Sequence, residues 1–129
     1  MKRLTLLLLT CLRSCAPEPV FAASHPRLPA YEAVCLTQVA EEYNLGPWQT
    51  RILLAIRIAE NGGPGHEMGV ENPEARRGGL LIQARWAAGT LKKRCPTPAH
   101  FTAFAKRYCP PSWEWWRKTV ATFASEVNL

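Results

Sequence analysis

Ile52-Leu53-Leu54-Ala55-Ile56-Arg57-Ile58-Ala59-Glu60-Asn61-Gly62-Gly63-Pro64-Gly65 decides the reading of this chain: an apolar run ends on a carboxylate and meets a turn of glycine and proline. Pro47 suits the first position of a helix, where its missing N–H is an orphan anyway. Trp48, Ile52, Ala55, Ile56 and Ala59 then recur at three- and four-residue spacing, so a helix runs from Pro47 to Glu60 with that stripe facing the core. Neither Gly62-Gly63 nor Pro64 can continue it.

Working outward, Pro29 opens an earlier helix near Ala30, in which Tyr31, Val34, Cys35, Gln38, Val39 and Tyr43 repeat at helical spacing up to Gly46. Downstream, residues 61–79 hold six of the 8 glycines, which reads as one long irregular loop of the kind that lines sites. Leu80 to Arg94 is a further helix with Leu81, Ile82, Trp86 and Leu91 as its apolar residues. Lys92, Lys93 and Arg94 complement the dipole at its end. Thr97 as cap and Pro98 at the first position start another, with Phe101, Phe104, Ala105 and Tyr108 on one face. Ser112 caps the last, where Trp113, Trp116, Val120, Phe123 and Val127 alternate at spacings of three and four, leaving Trp115 outward. No strand pattern is present. The expectation is an all-α, compact single domain of about five helices, with Ile52, Ile56, Trp86, Phe101, Phe104, Trp116, Val120 and Phe123 sharing one core.

The bulk numbers agree with one domain. At 129 residues the chain is too short for two independent cores, and 47% hydrophobic residues exclude disorder of the whole. A net charge of +6 with no Asp makes a positive surface suited to nucleic acid, anionic lipid or a cell-wall polyanion. Lys2 and Arg3 followed by Leu4-Thr5-Leu6-Leu7-Leu8-Leu9 form the n- and h-regions of an export signal, too short for a stable membrane span. Cleavage is expected near Ala22 or Ala23, giving a signal peptide over 1–23 and a helical domain over 24–129 in a secreted or periplasmic protein. Leu12-Arg13-Ser14-Cys15 resembles a degraded lipobox, so a lipoprotein anchored through Cys15 and an uncleaved segment are the alternatives. Cys35, Cys95 and Cys109 then remain, an odd number that allows one disulfide without fixing its pairing. Cys35, inside a helix beside Val34 and Leu36, reads as a buried small hydrophobe.

Glu60 is the titratable group at the glycine-rich turn. Apolar neighbours and the helix C-terminus both disfavour its charged form, which raises its pKa and suits a general acid. The bland alternative is a solvated helix-end residue. Ala55-Ile56-Arg57-Ile58-Ala59-Glu60-Asn61-Gly62, then Gly79-Leu80-Leu81-Ile82-Gln83-Ala84, then Tyr108 and the closing helix from Trp116, resemble the lysozyme-like superfamily over residues 48–127. The likeness is to its soluble lytic transglycosylase and bacterial glucosaminidase branch. Gln83 stands one place later than in that family's Gly-Leu-Met-Gln, Asn61 stands where Ser is usual, and the Ala-Tyr-Asn-Ala-Gly segment is absent.

The resemblance implies a lysozyme-like fold and cleavage of peptidoglycan glycan strands, with Glu60 catalytic and Gln83, Tyr108 and Asn61 binding substrate. Glycosidases usually pair two carboxylates, and with no Asp any partner is a Glu; Glu67, Glu71 and Glu74 lie in the loop. The transglycosylase branch implies one Glu as acid then base, the sugar's own 6-hydroxyl attacking to leave an anhydro product. His66, His100 and the cysteines lack zinc-ligand spacing, so no metal and no cofactor are expected. Cys35 lacks the helix N-terminal position that would activate a thiol. Arg76-Arg77 and Lys92-Lys93-Arg94 would suit nucleic acid, but an export signal argues against that partner. The competing function is a non-catalytic exported helical module that binds cell wall or a protein through its basic face. A monomer is expected in either case.

Overall fold

In a computed structural model, which describes residues 23–129, six α-helices enclose one core. They are α1 (Ala30–Glu42), α2 (Pro47–Glu60), α3 (Pro73–Gly78), α4 (Leu80–Arg94), α5 (Phe101–Tyr108) and α6 (Trp113–Glu126). Single 3₁₀ turns, Pro98–His100 and Pro110–Ser112, lead into α5 and α6. Among the described residues there is no β-strand, and no helix is long and apolar enough to cross a membrane. The export segment and Cys15 lie outside the described residues. Ala23, one residue before the expected start of the domain, is already in the core.

α2 is the central element, packed by α1, α4 and α6. Ile52, Leu53, Leu54, Ala55 and Ile56 are all buried, so the helix is covered on every side rather than along one stripe. Its start is fastened by Gln49. The Gln49 side-chain oxygen accepts the Gly46 N–H at 3.2 Å, while its amide donates to the carbonyls of Leu91 at 3.2 Å and Cys95 at 3.0 Å. That one buried side chain serves two helix ends: at the end of α4 it bonds the Leu91 carbonyl, which also accepts the Cys95 N–H at 2.9 Å, and the Cys95 carbonyl just beyond the helix.

Four expectations need correction. The loop over 61–79 contains α3, where Asn72 Oδ1 accepts the Glu74 N–H at 2.9 Å and Pro73 occupies the first turn. The buried face of α1 is Glu32, Ala33, Leu36, Val39 and Ala40, while Tyr31 is 74% exposed and Val34 and Gln38 face outward. On α4 the buried residues are Gln83, Ala84, Ala87, Ala88 and Leu91, and Trp86 is 39% exposed instead of belonging to the core. Alanines make up much of the buried faces of α1 and α4, and Tyr31 and Trp86 lie outside those faces. Neither Thr97 nor Ser112 caps through its side chain; Thr97 Oγ1 pairs with His100 Nδ1 at 2.8 Å.

The remaining core residues named from sequence are buried, with Phe123 partly so. Glu32 is buried because Arg57 Nε donates to it at 2.5 Å, tying α1 to α2. Cys35, Cys95 and Cys109 are unbridged. Cys35 is half-buried; Cys95 is fully so, and burial pushes its thiol up to about 11. Both ends of the domain meet: Ser24 and Asn128 exchange backbone hydrogen bonds of 2.8 and 2.9 Å.

Candidate active site

Glu60 closes α2, and Asn61 ends the helix in the left-handed conformation at φ 45°. That turn stops the helix with the Glu60 side chain half-buried between α6 and the following loop. Trp116 Nε1 donates to Glu60 Oε1 at 2.9 Å. A buried indole needs an acceptor for its one N–H, and here the acceptor is a carboxylate. Trp116 is itself fixed in an aromatic cluster, stacked on Tyr108 at 4.9 Å between centroids and tilted against Phe101 at 6.2 Å and Phe104 at 6.1 Å.

The loop lies directly against the carboxylate. Gly69 has φ +71°, and a Cβ added there would stand 2.6 Å from the Glu60 carboxyl carbon and 2.7 and 2.9 Å from its oxygens. Only glycine fits both the backbone angle and the space. The loop is held in that position by Gln83, which is fully buried. Its side-chain oxygen accepts the N–H groups of Met68 at 3.2 Å and Val70 at 3.1 Å, and its amide donates to the carbonyls of Gly65 at 3.0 Å and Val70 at 3.1 Å. Tyr108 adds a further bond, its hydroxyl donating to the Met68 carbonyl.

Electrostatics follow from this packing. Burial pushes the Glu60 carboxyl above its usual range, the Trp116 hydrogen bond pulls it back, and the negative charge of Glu71 pushes it up again. Burial and the Glu60 charge hold the Tyr108 phenol far above its ordinary value, so it is a neutral donor. Of the three loop carboxylates, Glu67 is buried and accepts the Gly65 N–H at 2.5 Å, which makes it a support of the loop. Glu74 is exposed in the first turn of α3. Glu71 is exposed, lies 3.9 Å from Arg76, and lines a cavity of about 300 Å³ together with Gly69, Tyr108 and Arg107.

Glu60, Tyr108 and Gln83 are therefore gathered around one loop, but not in equivalent ways. Gln83 and the Tyr108 hydroxyl are occupied by loop backbone and hold it against Glu60. Asn61 sits elsewhere: it is exposed and lines a different cavity with Arg27, Glu32 and Arg57. Two participants escape the sequence reading, Trp116 and Gly69. Trp116 reads as core by spacing, and its indole N–H is the only hint of a polar duty. Among the described residues no group of three or more His, Cys and Glu is placed to hold a metal ion. The chain matches no protein-family model, no curated protein and no solved structure.

Proposed function

We propose that the domain is an exported, lysozyme-like enzyme that cleaves the glycan strands of peptidoglycan, with Glu60 as its general acid and base. The observation that carries this reading is the setting of one carboxyl group. Glu60 is half-buried at the end of the central helix, raised by burial, and oriented by the Trp116 indole at 2.9 Å. A carboxyl whose proton is held more tightly than in water can deliver it to the glycosidic oxygen as the C1–O bond breaks. The resulting carboxylate then takes the proton of the attacking hydroxyl as the new C1–O bond forms. With no Asp in the chain and with Glu67 committed to the loop, the one-carboxylate route is favoured, in which the sugar's own 6-hydroxyl attacks. Glu71 is the residue that would serve a water-dependent route. With residues 1–23 removed, Lys2, Arg3, Arg13 and Glu18 go and the 13 remaining Lys and Arg against 9 Glu leave a net charge of +4, which suits a polyanionic wall.

The competing reading is the non-catalytic wall- or protein-binding module, and one observation favours it: Gly69 packs on the Glu60 carboxyl as it would on a purely structural clamp. Digestion of purified sacculi followed by muropeptide mass analysis separates the two. Glu60→Gln keeps the shape but cannot transfer a proton, so it should lower muropeptide release by about 10² or more, with the variant still folded and still binding sacculi. Products lighter by one water than the hydrolytic ones identify the 6-hydroxyl route. Equal release by wild type and Glu60→Gln removes Glu60 from the chemistry, and binding without release by the wild type supports the module.

A further inference from the structure

The outward face of α4 carries a third cavity, of about 580 Å³, between that helix and the end of α1, lined by residues that include Tyr43, Trp86, Lys93 and Arg94. Thr90 and Arg94 line both this cavity and the smaller one walled by Gly69 and Tyr108, so the two adjoin along α4; Glu60 itself does not line either, but Gly69 packs on its carboxyl. Lys93 and Arg94 are exposed on that run, as is Arg107 at the end beside Gly69 and Tyr108. None of the three is paired with a carboxylate among the described residues. The remaining cation on this wall, Arg85, is occupied by Glu42 at 2.8 Å, and the one carboxylate, Glu71, has Arg76 beside it. Trp86 and Tyr43 add aromatic faces on which the apolar faces of sugar rings can lie.

We infer that this run is a binding track for an acidic glycan strand, with carboxylates of its peptide side chains against Lys93, Arg94 and Arg107 and its sugars over Trp86 and Tyr43. The inference rests on the Glu60 reading for its choice of substrate class, and its test reads binding rather than cleavage. Three unpaired cations along one groove select for negative charge, a preference an uncharged glycan cannot satisfy. Continuity with the cavity at Gly69, the residue packed on the Glu60 carboxyl, is what favours a glycan over a nucleic acid as the occupant.

The experiment measures affinity in the Glu60→Gln background, so that strands stay intact. The probes are purified peptide-bearing glycan strands, an uncharged chitooligosaccharide and a short single-stranded DNA, each over a series of salt concentrations. Lys93→Glu with Arg94→Glu should weaken binding of the peptide-bearing strands by about tenfold or more at low salt, flatten the salt dependence, and leave the chitooligosaccharide unchanged. Lys93→Gln with Arg94→Gln, which adds no negative charge at the α4 C-terminus, should lose less and keeps the test sound if the reversed variant folds poorly. Unchanged affinity in the Gln variant, equal loss on charged and uncharged glycans, or tighter binding of DNA than of strands overturns the inference. If the wild type binds strands through this track yet releases no muropeptide, the track stands and the catalytic reading falls. If it cleaves and the track variants bind normally, the reverse holds.

Discussion

Gly69→Ala adds one methyl group to the point where the loop meets Glu60. Two costs follow from the geometry. An L-residue held at φ +71° loses about 1–2 kcal/mol relative to glycine. The new Cβ, 2.6 Å from the carboxyl carbon, also forces a displacement. The loop cannot yield without breaking the Gln83 and Tyr108 hydrogen bonds, so the carboxyl swings away and its bond to Trp116 is lost. A hydrogen bond to a charged group contributes about 1.5–3 kcal/mol, toward the lower end here because Glu60 is half exposed. The expected total is about 2.5–4 kcal/mol. Urea unfolding followed by circular dichroism measures it, with the slope unchanged if both states keep their compactness. A thermal midpoint should fall by about 4–8 °C for each kcal/mol in a domain of this size. Gly63→Ala is the control, since a Cβ there meets nothing within 4 Å, and it should stay within about 0.5 kcal/mol of wild type. If Gly69→Ala is as stable as Gly63→Ala, the loop does not rest on the carboxylate and the account of the site fails.

Two further predictions concern charge and packing. Because the folded Glu60 carboxyl sits above its unfolded value, its contribution to stability is complete at pH below the ordinary carboxylate range and is lost as pH rises through the folded value; Glu60→Gln should abolish that part of the dependence in urea midpoints taken across the acidic range. Trp116→Ala should cost about 3–5 kcal/mol, whereas Trp86→Ala, at a side chain 39% exposed, should cost about 1 kcal/mol or less; equal costs in thermal unfolding would return Trp86 to the core.

Helix boundaries were the most legible part of this chain, because glycine and proline set them by local sterics. The span of α2, the span of α4 and the position of Glu60 at the edge of a glycine-rich loop all follow from that punctuation. The faces of α1 and α4 were not legible, since a rule that buries the largest apolar residues selects Tyr31 and Trp86. The structure buries Ala33, Ala84, Ala87 and Ala88 instead, and which side of a helix can be approached closely is decided by its neighbours. Helix α3 carries the full start signal of Asn72, Pro73 and Glu74, outweighed in a linear reading by the glycines around it. At the site, the carboxylate was visible and its partners were not. Trp116 lies 56 residues from Glu60 along the chain, and no spacing rule within one helix reports such a contact. Gln83 stands out by sequence, but its occupation by loop backbone appears only once the loop is folded over it.

The exchange of hydrogen bonds between Ser24 and Asn128 also defines how this domain can be connected to other things. A chain that enters at Ala23 leaves at almost the same place, with His25 against Phe123 at 5.9 Å and Arg51 donating to the Val127 carbonyl at 2.9 Å to brace the spot. The domain therefore behaves as a cassette with a single point of attachment. A short linker from residue 129 back to residue 23 can close the chain, and new termini can be opened at an exposed turn such as Gly63-Pro64. Inserted into a surface loop of a host protein, it would ask for almost no separation between the two ends of that loop. The Glu60 loop and the basic face of α4 would then be carried together on that host.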